Sequence, residues 1–69
     1  MEMHSVDSSN IEAVGYDAES QTLQVEFKSG ATYQYFDVTQ ELFDGLMIAP
    51  SVGKYLNDHI KGTYRYSRV

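Results

Sequence analysis

One short stretch of the chain constrains the fold more than any other, because its side chains alternate between apolar and polar. Leu23, Val25 and Phe27 are apolar, and a polar residue follows each of them. This period of two predicts a β-strand with one buried face and one solvated face. Residues 11–17 before it and residues 32–38 after it also have the composition of strands. The three segments together predict an antiparallel β-meander.

The spacing of apolar residues becomes helical after the third strand segment. Thr39 is a suitable N-cap for a first helix, and Ala49-Pro50 predicts its end, since a residue that precedes proline disfavours the helical region. Ser51 is a suitable N-cap for a second helix that stops near Gly62. Residues 63–69 alternate again and predict a short last strand, either along the meander or across the helices. The predicted fold class is α+β.

The turn between the second and third strand segments decides where two tyrosines point. A two-residue turn, Ser29-Gly30, directs Tyr33 and Tyr35 to the polar face of the sheet. A three-residue turn, Lys28 to Gly30, directs both rings to the apolar face, because a shift of one residue exchanges the faces. Glycine in the third position favours the longer turn and therefore predicts that both tyrosines join the core. The sequence leaves open which sheet face the helices cover.

Length and charge set further bounds on the chain. Its 69 residues suffice for one domain, predicted to span residues 10–69 after a flexible, polar segment of residues 1–9. The net charge is −5, but it is unevenly distributed. Residues 1–53 contain nine acids and one base, and residues 54–69 contain four bases and one acid. This polarity predicts a basic patch that the overall charge conceals.

The residue types needed for a catalytic or metal site are scarce. The chain has no cysteine, which excludes a disulfide and a thiolate metal site. His4 falls in the predicted flexible segment, and His59 beside Asp58 lacks the spacing of metal ligands. No nucleophile motif surrounds Ser51, which is better explained as a cap. We therefore expect no enzymatic activity, no metal or other cofactor and no small-molecule substrate.

The N-terminal residues do not resemble an export signal, and no apolar stretch approaches the roughly 20 residues that span a bilayer. We therefore expect a cytoplasmic protein without a membrane partner.

The C-terminal part interleaves basic and aromatic residues, a mixture that suits RNA. Basic side chains bind phosphates, and exposed aromatic rings stack on unpaired bases. The residues predicted to bind RNA are Lys54, Lys61, Tyr64, Arg65, Tyr66 and Arg68, with Tyr33 and Tyr35 as further stacking rings. So few bases predict weak, salt-sensitive binding. In the alternative interpretation, Tyr64 and Tyr66 close the small core while the arginines are solvated.

A second hypothesis is that the domain binds a protein or a second copy of itself. Val14, Gln34 and Phe36 are predicted on a sheet face that the helices leave uncovered. Phe36 beside Tyr16 then forms a small apolar patch, which is a suitable anchor for a partner. An open edge of the sheet is a further docking site in this hypothesis.

The order of these features resembles the KTSC domain, over about residues 8–68. The matching features are Gly15-Tyr16-Asp17, Leu23-x-Val-x-Phe27, Gly30-x-x-Tyr33-x-Tyr35, Val38, Ser51-x-Gly53, Tyr55-x-Asn57 and Ile60. The family is found at the C-terminus of some lysyl-tRNA synthetases and as stand-alone bacterial or phage proteins. Its activity is unknown, and RNA binding has been suggested from its attachment to a synthetase. The resemblance implies a binding module and favours RNA slightly over protein as its partner.

Overall fold

The alternating segment of the sequence forms the central strand of a five-stranded antiparallel sheet in the computed structural model, which describes residues 1–69. The elements in chain order are β1 (Met3–Ser5), β2 (Ile11–Asp17), β3 (Thr22–Phe27), β4 (Thr32–Tyr35), α1 (Gln40–Ile48), α2 (Val52–His59) and β5 (Tyr66–Arg68). The strands lie in the sheet in chain order. The α+β class and the two helices are confirmed, and the last strand lies along the meander, but the predicted three-stranded meander had too few strands.

The strand that the prediction missed is β1, which lies within the segment of residues 1–9. It pairs with β2, and Met3 lies opposite Gly15. A Cβ atom at Gly15 would lie 2.5 Å from the Met3 Sδ atom and 2.7 Å from the Glu2 carbonyl oxygen. The N-terminal residues can approach β2 only because Gly15 has no side chain. Three mostly exposed residues without apolar alternation give no signal for such a strand.

The turn between β3 and β4 has three residues, as the glycine position predicted. The Phe27 N–H donates to the Ala31 carbonyl oxygen at 2.8 Å, and Gly30 has a φ of 99°. That φ lies in the region that glycine adopts without strain. The register places Tyr33 and Tyr35 on the same face as the apolar residues of β3.

An extra residue in β2 changes the facing of that strand. Ile11 pairs with Phe27 and Ala13 pairs with Glu26, so one residue of β2 is left without a partner in β3. Such a bulge moves the following residues to the opposite face, and both Ile11 and Val14 are fully buried. The prediction that Val14 lies on an uncovered face was therefore wrong.

Both helices begin at the predicted caps. The Thr39 Oγ1 atom accepts the Leu42 N–H at 3.3 Å, and the Ser51 Oγ atom accepts the Lys54 N–H at 3.2 Å. The apolar faces of the helices pack on the sheet face that carries Tyr33 and Tyr35. The buried cluster comprises Ile11, Val14, Leu23, Val25, Tyr35, Val38, Leu46, Val52, Leu56 and Ile60. Neither helix has the length and hydropathy needed to cross a membrane.

Candidate nucleic-acid interface

Three aromatic rings meet where β5 joins β4 at the edge of the core. Tyr66 lies opposite Tyr35, and Arg68 lies opposite Tyr33. The Tyr33 ring centroid is 5.7 Å from the Tyr66 centroid and 5.7 Å from the Phe27 centroid. Tyr66 is 61% exposed, whereas Tyr33 and Phe27 are half-buried. The arrangement presents one open ring next to two partly open ones.

Basic side chains border these rings. The Lys61 Nζ atom lies 5.3 Å from the Phe27 ring centroid, and Lys28 lines the same depression of about 540 Å³. Lys28, Lys61 and Arg68 form no salt bridge, so their charges face solvent without a carboxylate within 4.0 Å. We call this group the aromatic–basic surface; its members are Phe27, Lys28, Tyr33, Lys61, Tyr66 and Arg68.

Lys28 and Phe27 belong to this surface although they were not predicted as site residues. Lys28 is the only base among residues 1–53, and the β3–β4 turn carries it to the bases of the C-terminal part. The adjacency of a base and an aromatic residue before a turn was the available signal. It could not be used without knowing that Lys61 would lie above Phe27.

Two of the predicted stacking tyrosines have structural positions instead. Tyr35 is only 2% exposed, so its ring offers no face to a base. Burial, followed by the nearby hydroxyls of Tyr33 and Tyr66, raises the pKa of the Tyr35 hydroxyl above its usual range. Tyr64 is half-buried and packs against the core cluster. Tyr35 supports the Tyr66 ring from the core, with centroids 5.9 Å apart, and of Tyr35, Tyr64 and Tyr66 only Tyr66 is exposed.

Arg65 lies in a different environment from the other C-terminal bases. Its Nη2 atom is 3.1 Å from the Asp37 Oδ2 atom, and its guanidinium lies 5.7 Å from the Phe36 ring centroid. Because side chains alternate along a strand, Arg65 points to the opposite side from Tyr66. Arg65 still lines one depression of about 500 Å³ with Phe36 and Tyr66. We leave it out of the aromatic–basic surface because Asp37 pairs with its charge and its guanidinium lies over Phe36.

Lys54 lies at some distance from the rings, on the first turn of α2. Its Nζ atom is 2.8 Å from the Asp58 Oδ2 atom, one helical turn later. This hydrogen bond raises the pKa of the Lys54 ammonium, and it lowers the pKa of the Asp58 carboxyl. Lys54 and Lys61 both line one polar groove of about 650 Å³.

The two residues predicted to anchor a protein partner do not form one patch. The Tyr16 ring stacks on Phe43 with centroids 5.0 Å apart, and its hydroxyl donates to the Val38 carbonyl oxygen. Phe36 instead lies beneath Arg65. Tyr16 therefore packs on the helix side of the sheet, and the predicted contact with Phe36 is not made.

The two histidines lie in different elements and contact different residues. His4 lies in β1 beside Glu2, at 3.8 Å, and the His59 ring packs on Tyr55 with centroids 4.4 Å apart. No three histidine, aspartate or glutamate side chains are grouped as metal ligands.

Comparison with known proteins connects this geometry to a family. The family model described as the KTSC domain matches residues 7–69. A protein from Tsukamurella paurometabola is 46% identical over 91% of this chain and 94% of its own length. An uncharacterised protein from Stutzerimonas stutzeri is 41% identical over 100% of this chain and 99% of its own length.

Two further relatives place the same fold in different contexts. A lysine–tRNA ligase from Nostoc punctiforme is 36% identical over 91% of this chain, which corresponds to 11% of the ligase. The crystal structure of a KTSC domain protein from Yersinia pestis superposes with a TM-score of 0.96 and 31% identity, covering 99% of this chain and 96% of that one. Since the sequence match and the superposition both extend over nearly the whole chain, this protein belongs to the KTSC domain family.

Proposed function

We propose that the aromatic–basic surface binds single-stranded RNA and that the domain is a non-catalytic binding module. The observation that supports this most strongly is the set of residues around the exposed Tyr66 ring. It lies beside Tyr33, and Lys61 lines the same depression. Arg68 lies opposite Tyr33, and Lys28 lines the adjoining depression with Tyr33 and Lys61. None of these three bases has a carboxylate partner. In a chain of net charge −5, such a group is unexpected on a surface that only contacts solvent.

The chemistry of the rings favours a single strand over a duplex. A base can stack on an aromatic side chain only when its face is free, and each stacked base contributes about 1–3 kcal/mol. The paired bases of an RNA duplex do not expose their faces. Tyr66, at 61% exposure, offers the most accessible face, and Tyr33 offers a smaller one next to it.

The charges limit the affinity and make it depend on salt. Each phosphate contact to a single strand changes the slope of log K against log salt concentration by about −0.7. Three bases therefore predict a slope of about −2. The acids elsewhere in the chain repel a strand that approaches another side, so they favour one orientation without adding affinity.

The relatives supply an independent reason to choose RNA. A lysine–tRNA ligase, an enzyme whose name states that it acts on tRNA, contains a segment 36% identical to this chain. A domain that contacts RNA would suit such an enzyme, and for this reason we favour RNA as the ligand of this chain. We also expect the protein in the cytoplasm, where it would encounter RNA.

The proposal is tested by the fluorescence anisotropy of a labelled hexauridylate. We expect binding at about 50 mM salt that weakens strongly by about 200 mM. Tyr66→Ala should lower the affinity about tenfold, because a stacking ring is lost. Phe36→Ala removes another partly exposed ring and should change the affinity less than about twofold.

The absence of binding by the native protein at the lower salt concentration would contradict the proposal. A loss with Phe36→Ala and none with Tyr66→Ala would also contradict it, and would favour the protein-partner hypothesis. In the present structure no contact between Phe36 and Tyr16 supports that hypothesis.

A further inference from the structure

A polar groove adjoins the aromatic–basic surface and extends beyond it. It has a volume of about 650 Å³ and lies between α2 and the loop that precedes β2. The polar groove is defined by Ser8, Asn10, Ser51, Lys54, Asn57 and Lys61. Because most of its lining is polar, it suits a ligand that offers hydroxyls and phosphates rather than an apolar one.

The polar groove is continuous with the aromatic–basic surface through Lys61. Asn10, Phe27 and Lys61 line both the groove and the neighbouring depression of about 540 Å³. Lys61 also lines the depression of about 300 Å³ between Tyr33 and Tyr66. Lys61 therefore lies where the groove and the two depressions meet. A chain-like ligand bound along all three would pass the Lys61 ammonium group.

The charge of this path differs from that of the whole protein. Lys28, Lys54 and Lys61 line the three depressions, and Asp7 is the only acid that does so. The protein has ten acids and five bases in all, so bases are concentrated along this path, although Asp58 pairs with Lys54. A continuous basic path suits a polyanion whose phosphates are spaced along a strand.

A glycine brings the two walls of the polar groove together. A Cβ atom at Gly53 would lie 3.2 Å from the Asn10 Oδ1 atom and 3.6 Å from the Ser8 Oγ atom. Ser8 donates to the Asn10 Oδ1 atom at 3.1 Å, while the Asn10 amide nitrogen makes no hydrogen bond within the protein. That amide is a donor without a protein partner in the groove that Lys54 and Lys61 also line, so it is available to a phosphate or a sugar hydroxyl.

We propose that a single RNA strand continues from the aromatic–basic surface past Lys61 into the polar groove. The bases stack at Tyr33 and Tyr66, and the groove receives the sugar and phosphate of the nucleotides beyond them. This inference rests on the proposed function and specifies its ligand, a strand longer than the two nucleotides that the exposed rings can stack.

The test compares a diuridylate with a tetrauridylate on two matched variants. Lys54→Gln and Arg65→Gln each remove one exposed, salt-bridged base and change the net charge by the same amount. We expect Lys54→Gln to weaken tetrauridylate binding about threefold and to reduce the salt slope by about 0.7, since one phosphate contact is lost. Arg65→Gln should change either affinity by less than about 1.5-fold, and Lys54→Gln should leave diuridylate binding unchanged.

A gain-of-binding variant guards against effects of unfolding. Asp58→Asn removes the carboxylate that holds the Lys54 ammonium at 2.8 Å. It should strengthen tetrauridylate binding about twofold and leave diuridylate binding unchanged, because the freed lysine faces the groove. A destabilised protein could not produce this increase.

Three results would overturn the inference. Tetrauridylate could bind no more tightly than diuridylate, the two glutamine variants could have equal effects, or Asp58→Asn could leave tetrauridylate binding unchanged. The proposed function survives each of these if diuridylate binds and Tyr66→Ala weakens it. If neither oligonucleotide binds at low salt, both proposals are wrong.

Discussion

Two basic side chains of this protein lie above phenylalanine rings, and their surroundings differ. The Lys61 ammonium is 5.3 Å from the Phe27 centroid and has no carboxylate partner. The Arg65 guanidinium is 5.7 Å from the Phe36 centroid and forms a salt bridge with Asp37. The same pairing of a base with an aromatic ring thus occurs in an open and in a neutralised form. The neighbours of a residue, rather than its type, decide whether it is available to a ligand.

The backbone explains why the two pairs differ. Asp37 follows β4 and has a φ of 61°, a left-handed conformation that aspartate tolerates better than most residues. This conformation sets its carboxylate beside Arg65. Lys61 follows the fully buried Ile60, and its N–H donates to the Leu56 carbonyl oxygen at 2.9 Å. The end of α2 therefore holds Lys61 over the β3–β4 turn, where no acid lies.

The largest expected difference between the two pairs is in stability. Phe27 packs against the core cluster, whereas Phe36 is not among the residues that do so. We expect Phe27→Ala to lower the free energy of unfolding by about 2–3 kcal/mol, somewhat less than for a fully buried ring. Phe36→Ala loses a surface cation–π contact and should cost less than about 1 kcal/mol. Urea denaturation measures both, and equal losses would contradict the assignment of Phe27 to the core margin.

Much of the fold could be predicted from local signals. The position of Gly30 selected the three-residue turn, and with it the facing of Tyr33 and Tyr35. Thr39 and Ser51 were recognisable as caps because each precedes a helical apolar pattern. These predictions were correct because the residues that determine each turn or cap lie close to one another in the chain.

The features that could not be predicted depend on residues far apart in sequence. The strand β1 is three residues long and depends on the missing side chain of Gly15. The bulge in β2 becomes visible only through its pairing with β3, and it reversed the predicted facing of Val14. Long-range pairing of this kind leaves no periodicity that a single sequence reveals.

The candidate site was predicted only in part, because some of its contacts also join residues that are far apart in sequence. Tyr66, Lys61 and Arg68 belong to one segment whose composition suggested a surface for nucleic acid. Arg65 lies in that segment too, but its partner Asp37 is 28 residues away. A sequence pattern identifies which residues are basic and cannot identify which of them a distant carboxylate neutralises.

A smaller effect is expected from making the two pairs alike. Asp37→Asn removes the carboxylate beside Arg65 and keeps a residue that tolerates a positive φ. Because the salt bridge is exposed, we expect the free energy of unfolding to change by less than about 1 kcal/mol. RNA affinity should rise by no more than about twofold, since the Arg65 guanidinium lies over Phe36 and not among the bases that border Tyr33.

Asp37→Ala is the matched control, because it removes the same charge but lacks the tolerance for a left-handed backbone. It should cost about 1 kcal/mol more than Asp37→Asn in thermal or urea unfolding. A large gain in RNA affinity with either variant would mean that Arg65 and Phe36 form part of the binding surface. That result would contradict the claim that only the Lys61–Phe27 pair is available to RNA.

The central claim is that RNA binds at the Lys61–Phe27 pair and not at the Arg65–Phe36 pair. An amide NMR titration of the labelled protein with a short single-stranded RNA tests this claim most directly. At about 50 mM salt we predict shifts at Phe27, Lys28, Tyr33, Lys61 and Tyr66 that fade by about 200 mM. Shifts centred on Phe36, Asp37 and Arg65, or a spectrum that does not change at the lower salt concentration, would contradict the claim.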